Sequence, residues 1–181
     1  PMSADFGWNR EVFSFAIALQ NLLWGAAQPL AGGLADRFGA PRVIMTGALM
    51  YAAGLALMTV SAVPLAFSLS AGVLIGLSLS GVTYSVIYGV VGRTFPAEKR
   101  SQAMGYIAAA GSFGQFMMVP VEQWLIGSTG WNHALLALAV IALIMLPTAI
   151  GLREAPHART SGGQTIKQAL AEAFRNGSFW L

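Results

Sequence analysis

The side chains able to do chemistry in this 181-residue chain are amides, hydroxyls, indoles and phenols set inside apolar runs. Gln20, Asn21, Trp24 and Gln28 interrupt one run, and the spacings 20, 24, 28 and 21, 24, 28 place them on one helical face. Ser80, Tyr84 and Tyr88 recur every four in another run, and Gln115 stands near the middle of a third. Such groups bind a polar solute through hydrogen bonds and ring faces; they do not by themselves make or break bonds. Cysteine is absent, which excludes a thiol nucleophile, a disulfide framework and a thiolate zinc site. His133 and His157 have no partner nearby in sequence, and neither a phosphate-cradling glycine loop nor a metal-ligand spacing occurs. No catalytic residue, metal or cofactor is therefore expected, and an enzyme is the weakest reading.

A second group of residues is charged. In GGLADRFGAPR, residues 32–42, Asp36, Arg37 and Arg42 fall within a few positions of one another behind two glycines. They stand out because only 9% of the chain is charged and 56% is hydrophobic, against about 25% and about 45–50% in soluble domains. Between Arg42 and Arg93 there is no Asp, Glu, Lys or Arg, and between Arg100 and Arg153 only Glu122. A membrane-crossing helix needs about 20 apolar residues, so each window holds two crossings and a turn. The expected architecture is all-α, a polytopic membrane helix bundle. Its five spans cover about 12–34, 43–62, 66–91, 103–126 and 134–152, and residues 1–152 form one unit. In the tail, Ile166, Leu170 and Phe174 recur every four, so 153–177 reads as a loop carrying an amphipathic helix. SFWL, residues 178–181, reads as the start of a further span.

Nine of the ten basic residues fall on alternate connections, after the first, third and fifth spans, and only Arg10 lies on the other side. By the positive-inside rule the N-terminus is outside and the tail after residue 152 is cytoplasmic. An outside start without a signal segment implies that a span precedes the sequence, so the chain reads as a fragment cut at both ends. The basic residues are dispersed, so nucleic acid is not an expected partner.

Polar groups in hydrocarbon need partners or water, so they show which spans face something other than lipid. The first, third and fourth spans carry most of them; the second offers mainly Tyr51 and Thr46, and the fifth Thr148 only. Single Gln, Asn or Ser residues can simply fasten helices, at about 1 kcal/mol per bond. The aligned set of Gln20, Trp24 and Gln28 facing Tyr84 and Tyr88 exceeds that need and points to an aqueous or ligand cavity. Glu122 lies about 28 Å along the fourth span, at the outer interface beside Trp124, and Pro120 is expected to kink the helix before it. Gly72, Gly76 and Ser80, and in the fourth span Gly105 with Ala109 and Ala110 with Gly114, form small-residue stripes suited to close packing.

With these residues in place, the chain resembles the major facilitator superfamily of secondary transporters. GGLADRFGAPR is similar to that family's loop between its second and third spans, with Ala40 and Pro41 where basic residues are usual, leaving Arg42 alone. FPAEKRSQAMGYIAAAGSFG, with Arg100 and Gly105, resembles the equivalent later connection of monocarboxylate and oxalate/formate-type members. The resemblance covers nearly the whole chain, as spans two to six of twelve plus the central loop, part of the N-terminal half. It implies alternating access, two lobes rocking about a midplane site. It further implies that Gly32, Asp36, Arg37, Gly39, Arg42 and Arg100 form a cytoplasmic latch with the missing C-terminal half.

The substrate path would be lined by Gln20, Asn21, Trp24, Gln28, Ser80, Tyr84, Tyr88 and Gln115. A small organic anion, monocarboxylate-like, is the leading substrate. Efflux of drug-like molecules, or a non-transporting receptor or scaffold, are the competing readings. The expected location is a bacterial inner membrane, with the bilayer and a small-molecule substrate as partners.

Overall fold

A backbone in hydrocarbon has no water to bond to, so long apolar runs satisfy their own amides as helices. In the computed structural model, which describes residues 2–152, almost every apolar residue is helical and no strand occurs among the described residues. A short α1 (Met2–Phe6) precedes α2 (Arg10–Phe38) and α3 (Ala40–Thr59). The next crossing is assembled from four pieces: α4 (Pro64–Phe67), a π-helical segment (Ser68–Leu74), α5 (Ile75–Val82) and α6 (Tyr84–Thr94). Then come α7 (Ala97–Ala142) and α8 (Met145–Gly151). The tail loop, its amphipathic helix and the final apolar run, residues 153–181, lie outside the described residues.

Three stretches are long and apolar enough to cross a membrane, residues 40–59, 64–94 (the third crossing, counting α2 as the first) and 97–151; α2, the expected first span, is long enough but too polar to be among them. The last is 55 residues long and is two crossings in series. Its backbone leaves helical angles at Gly130, φ 79° and ψ 162°, a region that favours glycine. Pro120 was the expected kink, yet the chain passes it with helical angles. The one residue of this stretch with non-helical angles is Gly130, whose positive φ marks where the two arms part. The second arm then runs antiparallel to α3: Ala139 and Ala142 pack with Ala52 and Leu55, while Ala149 packs with Ala40 and Ile44.

Some helix ends sit beyond the expected boundaries, as at both ends of α2, while α3 ends at Thr59, short of the expected 62. α2 extends to Phe38 because Gly39, at φ 89°, donates its N–H to the Ala35 carbonyl and closes the helix. Pro41 then falls in the first turn of α3, where a missing N–H costs nothing.

The core is built mostly from alanine and glycine. Ala31, Ala35, Ala40, Val86 and Val90 bury together near the α2–α3 turn, and Ala16, Phe67 and Ala71 at the opposite end under Trp8 and Phe13. Small side chains let helix backbones approach, which is how apolar helices hold together when lipid is as apolar as they are. A Cβ at Gly76 would come within 2.8 Å of the Gln20 carbonyl oxygen, and one at Gly72 within 3.2 Å of that of Ala16. The stripe on the third crossing is thus a seam against α2. The stripe on α7 is not: Gly105 and Gly114 have open space where a Cβ would stand.

Candidate functional site

The third crossing is broken at Thr83, whose extended backbone (φ −101°, ψ −170°) separates α5 from α6. The break falls roughly 17 Å from the Thr94 end, at about 1.5 Å per residue, which is near mid-membrane. Side chains take over the bonds a continuous helix would have made. Thr83 Oγ1 donates to the Leu79 carbonyl at 2.8 Å, and Ser85 Oγ to that of Ser80 at 3.4 Å. Trp24 Nε1 donates to Thr83 Oγ1 at 3.1 Å, tying the middle of α2 to the break. No side chain caps the start of α6, so the first-turn amides and the positive end of its dipole meet at this level.

The first residues of α6 build outward from there. The rings of Tyr84 and Tyr88 stack with centroids 5.3 Å apart and planes 25° from parallel. The Tyr84 hydroxyl lies directly against Gly111 of α7, in space that any Cβ would fill. Trp24, Tyr84 and Tyr88 are thus brought onto one broken junction between α2, α6 and α7.

The remaining expected path residues distribute less evenly. Gln28 is half-buried and Gln115 exposed; neither side chain has a hydrogen-bond partner among the described residues. Asn21 turns its amide back to the Ile17 carbonyl at 2.9 Å, and Gln20 is half-buried with its backbone pressed against Gly76. Ser80 departs from the alignment. It is buried, bonded to the Leu77 carbonyl at 2.7 Å, and lines a groove between α2 and α3 rather than the tyrosine junction. The four-residue spacing from Ser80 to Tyr84 holds only in an unbroken helix, and the break at Thr83 turns the two pieces apart.

At the far end of α2 the charged loop is organised around a residue that composition alone did not single out. Arg93 Nη1 pairs with Asp36 Oδ1 at 2.6 Å, joining α2 to the last turn of α6. The Asp36 side chain is 68% exposed and that of Arg93 33%. Arg37 lies over the Phe38 ring, 5.2 Å from its centroid. Arg42 reaches the Phe38 carbonyl at 3.5 Å, and Arg100 donates to that of Phe95 at 2.9 Å. Gly32 stands in open space. Arg93 could have been found from its position: it ends the third span on the same side as Asp36, and no other cation in that window is as near the span.

At the opposite end, Arg10, Tyr51, Glu122 and Trp131 line a cavity of about 650 Å³, and Trp131 Nε1 donates to Asp5. Glu122 therefore shares its level with Arg10 at the start of α2, away from the break. No group of three or more metal-ligating side chains occurs among the described residues.

Comparison with known proteins agrees with this helical architecture. The family model of the Major Facilitator Superfamily matches residues 1–181. The chain belongs to that superfamily. Monocarboxylate transporter 13 of Rattus norvegicus is 28% identical over 142 residues, covering 78% of this chain and 32% of the relative. The voltage-gated purine nucleotide uniporter SLC17A9 of Homo sapiens is 29% identical over 137 residues, 72% of this chain and 31% of its own length. The uncharacterized MFS-type transporter YhjX of Escherichia coli is 27% identical over 172 residues, 93% of this chain and 42% of its own. The superfamily segment thus spans about a third of the length of the curated relatives it matches. With its apolar crossings, it is an integral membrane protein.

Proposed function

We propose that the protein is a secondary carrier of a small organic anion, monocarboxylate-like, working by alternating access. The observation that carries this reading is the mid-membrane break at Thr83, where uncapped amides of α6 meet Trp24, Tyr84 and Tyr88. Half-helix N-termini at mid-depth favour anionic groups, and transporters use discontinuous helices in this way. Two of the relatives above are named for anionic solutes, a monocarboxylate and a purine nucleotide. Gln28 and Gln115, without protein partners among the described residues, would complete the lining, together with Gln20 and Asn21.

The loop around Asp36 would act as a latch at the cytoplasmic gate. A pair as exposed as Asp36–Arg93 is worth at most about 1 kcal/mol, so it opens easily. Asp36 would exchange Arg93 for groups on a second lobe as the two lobes rock, with Arg37, Arg42 and Arg100 setting the local field and Gly39 the turn. In this reading the basic face is cytoplasmic, the N-terminus is outside and the membrane is a bacterial inner membrane. Tags at positions 40 and 97 should then react only from the cytoplasm, and labelling from the exterior alone would reverse the orientation.

The function is tested by counterflow of labelled lactate, pyruvate or oxalate into liposomes holding the full-length protein. Accumulation that unlabelled substrate drives and Tyr84→Ala abolishes is expected. Uptake of a cationic dye in its place would favour drug efflux.

A further inference from the structure

Away from the tyrosine junction, α2 and α3 splay apart over α5 and leave a groove of about 470 Å³. Leu30 and Leu34 form one wall, Met50 the other, and Leu77 the floor. Leu30 and Leu34 remain 56% and 49% exposed. At 100° per residue their mean direction lies about 150° round α2 from Asn21 and Gln28, about 100° from Trp24 and about 60° from Gln20, so the groove faces away from Asn21 and Gln28 and adjoins the Gln20 flank of α2. The slot is apolar along its length and ends at a cation. Arg42 lines its mouth at the α2–α3 turn, exposed, with no carboxylate paired to it among the described residues.

An apolar slot on a membrane-crossing bundle, closed by an unpaired guanidinium where the helices leave hydrocarbon, matches one kind of molecule. We infer that the groove holds an acyl chain of an anionic phospholipid, whose phosphate sits on Arg42. A neutral lipid would fill the slot but leave the guanidinium without its counter-charge, and a soluble anion would pair with Arg42 but leave the slot empty. A basic side chain at the membrane surface strengthens attachment of anionic lipid about fivefold. The inference is independent of the substrate, since neither Trp24 nor Tyr84 lines the groove; it shares Arg42 with the proposed latch, whose Asp36 lies outside the groove.

The test is native mass spectrometry of the full-length protein released from nanodiscs containing equal phosphatidylglycerol and phosphatidylcholine. The wild type should retain one phosphatidylglycerol about fivefold over phosphatidylcholine. Arg42→Gln should lose that preference, Arg42→Lys keep most of it, and Leu30→Trp, which fills the slot from an exposed position, retain neither lipid. Arg37→Gln should behave as wild type. Equal retention of both lipids by the wild type, or an unchanged preference in Arg42→Gln, would overturn the assignment. So would displacement of the lipid by millimolar inorganic phosphate, which would make the site a plain anion site. A disulfide between Leu34→Cys and a cysteine on a second lobe, formed in every state, would show that protein fills the groove instead.

Discussion

The third crossing and the first arm of α7 begin from similar sequence material, apolar residues with small ones every four, and end in opposite conditions. The third crossing buries Ser68, Ser70, Ser78 and Ser80 with Phe67, Ala71, Ile75 and Val86, and takes the backbone of α2 against Gly72 and Gly76. The first arm of α7 has no buried residue between positions 97 and 133; Phe116 is 73% exposed and Trp124 69%. Spacing of small residues therefore declares a capacity for close approach. Which stripe is used depends on the shape of the neighbour, and that is settled only in three dimensions.

The sharpest way to break this contrast is to add one methyl group to each stripe. Gly76→Ala forces a Cβ onto a backbone carbonyl that cannot move aside, and should destabilise the protein by about 2–3 kcal/mol in detergent unfolding. Gly114→Ala should be neutral or stabilising by up to about 1 kcal/mol, because alanine suits a helix better and nothing stands in the way. Equal losses at both positions would mean that the α7 stripe is packed as tightly as the other.

A smaller effect is expected at the break. Trp24→Phe removes the bond to Thr83 but leaves that hydroxyl satisfied by Leu79, so the cost should be about 1 kcal/mol. Thr83→Val should cost a similar amount. The double variant should be no worse than either single one if the two residues act through one bond, as a double-mutant cycle would reveal. Smaller still is the stability cost of Asp36→Asn, under about 1 kcal/mol for a pair this exposed. Its counterflow rate should nonetheless fall, and Arg93→Gln should fall with it. An unchanged rate in both would remove the loop from the gate.

Much of this was readable from the residues, and what escaped did so for definite reasons. Charge-free windows and glycines marked the crossings because hydrocarbon leaves a chain few options. The signature around Asp36 was legible because its charges are close together in sequence. Its partner Arg93 lies 57 residues away, and only folding brings it near. The break at Thr83 has no proline to announce it; the side-chain bonds of Thr83, Ser85 and Trp24 replace those of the helix, and one of them crosses between spans. Ser80 was aligned with Tyr84 on the premise of an unbroken helix, so that error follows directly from the missed break. The reversal at Gly130 was foreseen as a connection but not as a single residue, since several turn-forming residues surround it.

The central claim is that solute passes between α2 and α6 at the broken junction, while the far face of α7 meets lipid. The most direct test uses the absence of native cysteine from this sequence. In an otherwise cysteine-free full-length protein, Tyr88→Cys and Phe113→Cys are labelled with a small water-soluble thiol reagent, with and without saturating substrate. The account predicts that position 88 is labelled and that lactate or oxalate protects it, while position 113 reacts only with a membrane-soluble reagent and is indifferent to substrate. Substrate protection at position 113 with none at position 88 would contradict it.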